Sequence, residues 1–398
     1  MRHNKDQRDE IAKDLRSAKD LNGLLLVLNK LITWNNSSEH CKYPIQLIDE
    51  KTLKYFVFSK NAKKYTTFTI SKKSGGMRTI TAPNKYLKNI QRLLNICIQA
   101  LYYPMPQAHG FIPERSIVTN ATMHTGKKYV YNIDLKDFFP SIGFARVWAV
   151  LYKTKQMNLD KEVARIIATL TCHEGSLPQG APTSPTISNV ICISLDAILY
   201  KISKKRGFTY TRYADDITIS SDKDIFSPEF KEEIANIINE QGFELNPKKE
   251  RLQLYNVKKD GKLIRQRQVV TGITVNYKTN VNQKYIRNLE ATLYNWEKYG
   301  YNVASMLHEH FYRFSKGFTR YDGVVPCIEN VVNGRVEYLG MVRGKDNPKY
   351  QYLKVTFDSL CMKESYTTKE MEDILSLWQS DGLEAAMNLF YDRRNLAN

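Results

Sequence analysis

The sequence predicts an α+β protein, and three observations lead there. Helical and strand periodicities are mixed along the 398 residues rather than segregated into halves. No internal repeat or low-complexity tract interrupts them. The composition, 42% apolar and 25% charged, is that of an ordinary folded globule with apolar side chains for roughly two or three cores, which excludes a disordered or collagen-like chain.

The elements follow in order. Residues 7–33 space Ile11, Leu15, Leu21, Leu24, Leu25 and Leu28 as one or two helices with an apolar face. Tyr65 to Ile70 alternates as a strand, Ser74-Gly75-Gly76 reads as a turn, and Arg78 to Thr81 resumes the extended pattern. The result is a hairpin with Lys72, Lys73 and Arg78 around its tip, a candidate phosphate clamp. Tyr129 to Leu135 is a β-rich run containing Asp134, and Ser184 to Lys201 reads as one long apolar helix that stops near Gly207. Ser184 stands at its N-cap and Pro185 at its first position. Phe208 to Tyr213 and Ile217 to Ser221 are two strands joined at Ala214-Asp215-Asp216, a hairpin with two carboxylates in its turn. From Asn282 to about Phe318 the pattern is helical again, with Ile286, Leu289, Leu293 and Trp296 on one face.

Charge narrows the partners. With 59 Lys and Arg against 41 Asp and Glu, the chain has a formal charge of +18, which points to a polyanion, most commonly nucleic acid. The positive charge is unevenly placed. Residues 362–398 hold four Lys and Arg against seven Asp and Glu, a net −3, so the rest of the chain carries +21. That tail reads as an amphipathic helix around Met371, Ile374, Leu375 and Leu377 that packs on the body. The apolar run Leu21–Ile32 is too short and too interrupted for a membrane span, and no signal peptide is visible. The six cysteines lie far apart, without zinc-ligand spacing, so the expected setting is a reducing cytoplasm.

The chemistry concentrates at Asp215-Asp216 and Asp134. An Asp-Asp pair alone is ordinarily a surface turn. Flanked by Ala214 and Ile217 it sets like charges together in an apolar setting, a cost that a divalent cation turns into affinity. Hard carboxylate oxygens favour magnesium, with manganese also compatible, and two such ions about 4 Å apart suit an in-line displacement on a phosphate. What distinguishes this pair is its company in order: the basic hairpin, then Asp134 followed by Phe138-Phe139, then Leu177-Pro178-Gln179-Gly180-Ala181-Pro182, then the acidic hairpin.

That ordered set resembles the reverse transcriptases of the palm, fingers and thumb type, from about Phe68 to Asn276. The resemblance implies a right-hand polymerase: fingers, a palm whose antiparallel sheet bears the catalytic carboxylates, and a helical thumb. It divides the chain into N-terminal helices and fingers with part of the palm over 1–133, palm over 134–280 with a fingers segment near 145–185, thumb over 281–360, and an acidic extension over 361–398. It makes Asp134, Asp215 and Asp216 the catalytic carboxylates and, with Leu135, the ligands of two magnesium ions. Lys72 and Arg78 would contact the triphosphate, and Phe139 would be the gate against a ribose 2′-hydroxyl, one of Phe138 and Phe139 being core. Gln179 and Gly180 would shape the nucleotide pocket. Lys249, in Gly242-Phe243-Glu244-Leu245-Asn246-Pro247-Lys248-Lys249, would stand near the leaving pyrophosphate, a solvated lysine pair being the alternative.

Two further elements are similar to those of retron reverse transcriptases: Asn120-Ala121-Thr122-Met123-His124, and Val270-Thr271-Gly272. Together they distinguish that family from intron and viral relatives, and there the thumb and the Val-Thr-Gly region hold a stem-loop of a cognate structured non-coding (msr-msd) RNA. This makes Asn120, His124, Val270, Thr271 and Gly272 expected RNA-binding residues, a satisfied structural histidine being the alternative for His124. The resemblance further implies deoxynucleoside triphosphates as substrates, priming from a guanosine 2′-hydroxyl of that RNA, and a branched RNA–DNA product. It also implies a role in defence against phage beside a separately encoded effector protein, and no membrane. Two other readings fit the same residues: a reverse transcriptase of another bacterial lineage, intron-like or abortive-infection type, and a non-catalytic RNA-binding scaffold.

Overall fold

The computed structural model describes residues 4–38, 44–59, 63–71, 75–314, 324–385 and 387–388. The chain divides into two compact units, one up to Thr279 and one from Asn280 onward.

The first unit opens with α1 (Lys5–Ser17) and α2 (Leu21–Asn36). Each starts where a side chain caps it: Asn4 accepts from the Gln7 N–H, and Asp20 accepts from the Gly23 N–H. The apolar positions expected to face inward do so, with Ile11, Leu15, Leu24 and Leu28 buried. The helix α3 (Glu50–Phe58) precedes the antiparallel hairpin of β1 (Tyr65–Ser71) and β2 (Met77–Pro83), and α4 (Lys85–Leu101) packs against α1. Lys72 and Lys73 lie outside the described residues.

After α5 (Ile117–Thr122) comes β3 (Tyr129–Asp134), then α6 (Phe144–Lys153) and α7 (Lys161–Thr171). The stretch expected to form one helix from Ser184 to Lys201 forms two, α8 (Ser184–Ile191) and α9 (Ile193–Arg206), bent by 48°. The break is at Cys192, where ψ opens to −1° and the α-helical hydrogen-bond run stops. Ser184 does not cap α8. Thr183 holds that position, while the Ser184 hydroxyl donates to Pro178 O and ties down the loop in front of the helix.

The strands β4 (Thr209–Tyr213) and β5 (Asp216–Ser221) follow, then α10 (Pro228–Glu240), β6 (Arg251–Lys259) and β7 (Lys262–Arg265). Together with β3 they form an antiparallel sheet in the order β4-β5-β3-β6-β7. Strand alternation sorts its faces. Tyr131, Ile133, Ile217 and Ile219 join the main apolar core, whereas Asn132, Thr218, Ser220 and Thr211 form a buried polar layer on the other face. A short hairpin, β8 (Val269–Val270) and β9 (Ile273–Thr274), packs on α5.

The second unit is helical. Its first helix, α11 (Gln283–Phe314), is kinked at Gly300, whose φ of 79° only glycine adopts without strain. Ile286, Leu289, Leu293 and Trp296 are buried, as their spacing predicts. It packs against α12 (Ile328–Arg343) and α13 (Pro348–Asp381). The acidic tail does not begin a helix of its own. It continues α13, which is anchored through buried Tyr350, Leu353, Phe357 and Leu360. Of the apolar positions expected on the tail's inward face, Leu375 is exposed and Leu377 half-buried, and the side chains of Met371 and Ile374 lie outside the described residues. Among the described residues no single helix is long and apolar enough to cross a membrane.

Candidate active site

The antiparallel register brings the acidic residues together. Asp134, the last residue of β3, is the direct partner of Asp216, the first of β5, and Asp215 sits in the two-residue turn before it. Non-local hydrogen bonds fix this end of the sheet: Leu135 N–H donates to Asp215 O at 2.9 Å, and Asn246 N–H donates to Asp134 O at 2.8 Å. The second of these carries the chain into the 3₁₀ turn Pro247–Lys249, from which Lys249 Nζ reaches Asp134 Oδ2 at 2.7 Å.

The electrostatic consequence is a concentrated negative site. Burial raises the Asp215 carboxyl above its ordinary range and the neighbouring Asp134 raises it further, with Lys249 and Arg78 opposing. Asp216 is pushed up to about 7, by burial first and then by Asp215 and Asp134. Among the described residues no three His, Cys, Asp or Glu side chains converge at metal-ligand spacing, and Asp134 is engaged by an ammonium. The donor set nonetheless fits a hard divalent cation: hard carboxylate oxygens on Asp134, Asp215 and Asp216, two of them with raised proton affinity, are what such a charge would stabilise.

The walls of the site come from three other segments. Phe138 is buried against Phe243, with ring centroids 5.7 Å apart, so it is the core member of the aromatic pair, and half-buried Phe139 remains at the site. Gln179 lies in the loop before α8, and its carbonyl accepts from Thr81 N–H of the hairpin strand β2 at 2.9 Å. Gly180 is required there, because its φ is 138° and a Cβ would stand 2.9 Å from Thr81 O. The hairpin and this loop are thus one wall. Arg78, on β2 and exposed, is near enough to lower the Asp215 carboxyl.

The expected RNA-binding residues are placed differently. Asn120 and His124 are fully buried. The His124 ring bonds Ser220 Oγ through Nδ1 and Thr211 Oγ1 through Nε2, both at 2.7 Å, which ties α5's end to the polar face of the sheet. Burial drives its pKa down to about 3, so the ring is neutral. Direct contact with RNA by these two side chains is therefore replaced by a structural role, since neither reaches the surface. Val270 is buried as well, while Thr271 and Gly272 make the β8–β9 turn, both at positive φ. The Thr271 hydroxyl donates to Ile117 O, and Gly272 is exposed.

Several residues that the sequence reading omits support the carboxylate turn. Arg212 on β4 and Asp196 on α9 form a fully buried bidentate pair, at 2.8 and 2.7 Å, and Tyr210 Oη donates to the same carboxylate. Arg212 Nη1 also donates to Ala214 O, at 3.1 Å, and to Asn189 Oδ1. Ala214 itself holds φ at 58°, so its carbonyl is fixed in a left-handed turn immediately before Asp215. Asn189 in turn donates to Gly110 O, and a Cβ on Gly110 would lie 2.5 Å from Ala214 N. The signal available in sequence was an acidic residue, Asp196, inside the largely apolar run Ile193–Tyr200 and a basic one, Arg212, within a strand, since buried charges must pair.

Comparison with known proteins gives the chain its family. Residues 70–341 match the family model for reverse transcriptase (RNA-dependent DNA polymerase). The chain belongs to the reverse transcriptase family. Its matched relatives place it with the retron type: it is 36% identical over 250 residues to the Retron Mx65 reverse transcriptase of Myxococcus xanthus, covering 58% of this chain and 56% of that one. It is 32% identical over 237 residues to the Retron Ec86 reverse transcriptase of Escherichia coli, covering 59% and 72%. The chain thus spans only about half the length of the Myxococcus relative. In the terms of this family the fold is a right-hand polymerase, whose palm is an antiparallel sheet such as the five-stranded one seen here. Reverse transcriptases use divalent metal ions, in keeping with the carboxylate donors at the end of this palm sheet.

Proposed function

We propose that the chain is an RNA-directed DNA polymerase of the retron type, and that its site is the carboxylate cluster at the end of the palm sheet. One observation supports the reading above the others: Asp134 and Asp216 face each other across the β3–β5 register with Asp215 in the adjoining turn, and Arg78 is near enough to act on the Asp215 carboxyl. In the reaction the primer hydroxyl oxygen bonds to the α-phosphorus of a deoxynucleoside triphosphate as the bond to the β-phosphate bridge breaks, releasing pyrophosphate.

Asp134, Asp215 and Asp216, with Leu135 through its backbone, would hold two magnesium ions, and manganese suits the same donors. When bound, these ions supply Lewis acidity for the attacking hydroxyl and charge for the leaving pyrophosphate. The remaining roles belong to side chains. Arg78, with Lys72, binds the triphosphate, and Phe139 blocks a 2′-hydroxyl. Gln179 lines the pocket, and Gly180 lets the backbone approach closely. The ammonium of Lys249 faces the pyrophosphate and shares its charge with Asp134 until substrate arrives.

The retron reading adds a template and a primer. The template is a structured non-coding RNA encoded with the enzyme, the primer is a guanosine 2′-hydroxyl within it, and the product is branched DNA. Thr271 and Gly272, at the tip of the β8–β9 turn, are the members of the retron elements available to touch RNA, with Asn120 Nδ2 3.5 Å from the Thr271 hydroxyl behind them and His124 bracing the neighbouring sheet. Association with a separate effector in phage defence belongs to the same proposal. The test is to express the gene with its native flanking DNA and examine total nucleic acid for a short abundant DNA that shortens on RNase treatment yet keeps an RNA stub. Appearance in wild type and loss in Asp215→Asn supports the proposal. Absence from wild type, with primed RNA templates still extended in vitro, leaves the polymerase and removes the branched product.

A further inference from the structure

Beside the carboxylate turn stands an aromatic residue whose conformation is costly and whose ring the core does not use. Phe111 has φ of 60° and is 46% exposed. Of the nine non-glycine residues with positive φ among the described residues, it alone is aromatic. The others are mainly Asp, Asn and Glu, with Ala214 and Thr271. A bulky side chain in this region is a genuine outlier that persists only where its surroundings impose it.

The surroundings do impose it. On one side His109 N–H donates to Arg212 O at 2.8 Å, and Arg212 N–H donates to Gln107 O at 2.9 Å, so the segment is tied to β4 by a parallel bridge at Ala108 and Arg212. At the next residue Gly110 abuts Ala214 N, and buried Asn189 holds the Gly110 carbonyl. The chain then turns through Phe111, and the ring arrives 6.4 Å from the ring of Phe139 and 6.4 Å from that of Tyr213, tilted by 46° and 40°. Phe139 has one further aromatic neighbour, buried Phe138 at 5.3 Å. These separations lie within the range at which aromatic pairs attract.

We infer that Phe111 is a positioning residue for sugar selection: it braces Phe139, and through Tyr213 registers that ring against the turn that presents Asp215. The inference rests on Phe139 being the gate against a ribose 2′-hydroxyl and deepens that reading. A gate discriminates only while its ring stays where the hydroxyl would be. Phe138 is immobilised in the core, so it fixes one edge of the contact, and the exposed ring of Phe111 is the part of the enclosure that a substitution can remove without opening the core.

The experiment compares kcat/KM for adding a single deoxynucleotide and the matching ribonucleotide to a primed RNA template, using the full chain. Phe111→Asn and Phe111→Gly both remove the ring and both accept a left-handed backbone, so neither is expected to melt below wild type. Phe111→Tyr keeps the ring. The ratio favouring deoxynucleotide falls about three- to tenfold in the Asn and Gly variants, the scale of one lost aromatic pair, through a lower KM for ribonucleotide, and is restored in the Tyr variant. Phe139→Ala lowers it further. An unchanged ratio in Phe111→Asn and Phe111→Gly, where Phe139→Ala does lower it, overturns the role of Phe111 and leaves the gate intact. An unchanged ratio in Phe139→Ala removes the gate itself and the bracing with it.

Discussion

The buried pair beneath the carboxylate turn is where a conservative change should cost most. Asp196→Asn keeps the shape of the side chain but leaves the Arg212 guanidinium, fully buried, without its counter-charge. Breaking such a pair by removing one partner costs about 3–5 kcal/mol, out of a typical total of about 5–15 kcal/mol. For a unit of this size that corresponds to a melting point lower by roughly 10 °C. Replacing both members with apolar residues, Asp196→Leu with Arg212→Met, leaves no unpaired charge and should melt above either single variant. The turn should suffer separately, because Arg212 also holds Ala214 O in front of Asp215. Primer extension by Asp196→Asn is therefore expected to fall even well below its melting temperature. Circular dichroism melts of the two single variants and the double, with extension assays at a common low temperature, decide the matter. A single variant within 2 °C of wild type, or a double variant that melts below both singles, would refute the reasoning.

Three further outcomes are expected. Burial pulls His124 down to about 3, below the unfolded value near 6.5, so its contribution to stability is complete above about pH 6.5 and is lost as the pH falls toward 3; the cost of His124→Asn, read from urea titrations, should therefore shrink by about 2 kcal/mol between pH 7 and pH 5. Gly180→Ala forces a Cβ against Thr81 O at a positive φ, so it should cost about 1–3 kcal/mol in thermal melts and raise KM for the incoming nucleotide by displacing the hairpin wall. Lys249→Met removes an exposed ion pair worth at most about 1 kcal/mol to the fold, yet should slow extension about 100-fold if its ammonium stabilises the leaving pyrophosphate, a contrast visible by measuring both.

The parts of this protein that could be read from sequence were those written in local periodicity or in short ordered motifs. The apolar face of α11 and the paired strands around Ala214-Asp215 are of the first kind. The succession of Arg78, Asp134, Phe139, Gln179 and Asp215 is of the second. What stayed hidden depends on contacts between distant segments. The bend at Cys192 leaves no mark in the hydrophobic pattern, because both halves of the stretch are apolar. Asn120 and His124 read as candidates for RNA through the family motif they stand in, with a structural role the alternative for His124, and the fold buries them on Ser220, Thr211 and the region of Thr271. Arg212 gave a faint signal as a charge within a strand, but its partner Asp196 is 16 residues away and only the packing of α9 on β4 joins them. Phe111 gave none, since a positive φ outside glycine is imposed by neighbours and not by the residue itself.

The most direct measurement is primer extension on an RNA template with deoxynucleotides and magnesium, comparing wild type with Asp134→Asn, Asp215→Asn and Asp216→Asn. Burial and neighbouring charge raise the proton affinities of Asp215 and Asp216, and Asp134 is one of the charges that does so. Each amide variant therefore relieves like-charge repulsion and should fold at least as well as wild type while extension falls by at least about a thousandfold. Extension that persists in all three folded variants would contradict the account, because the reaction would then have to be carried out somewhere other than at the end of this sheet.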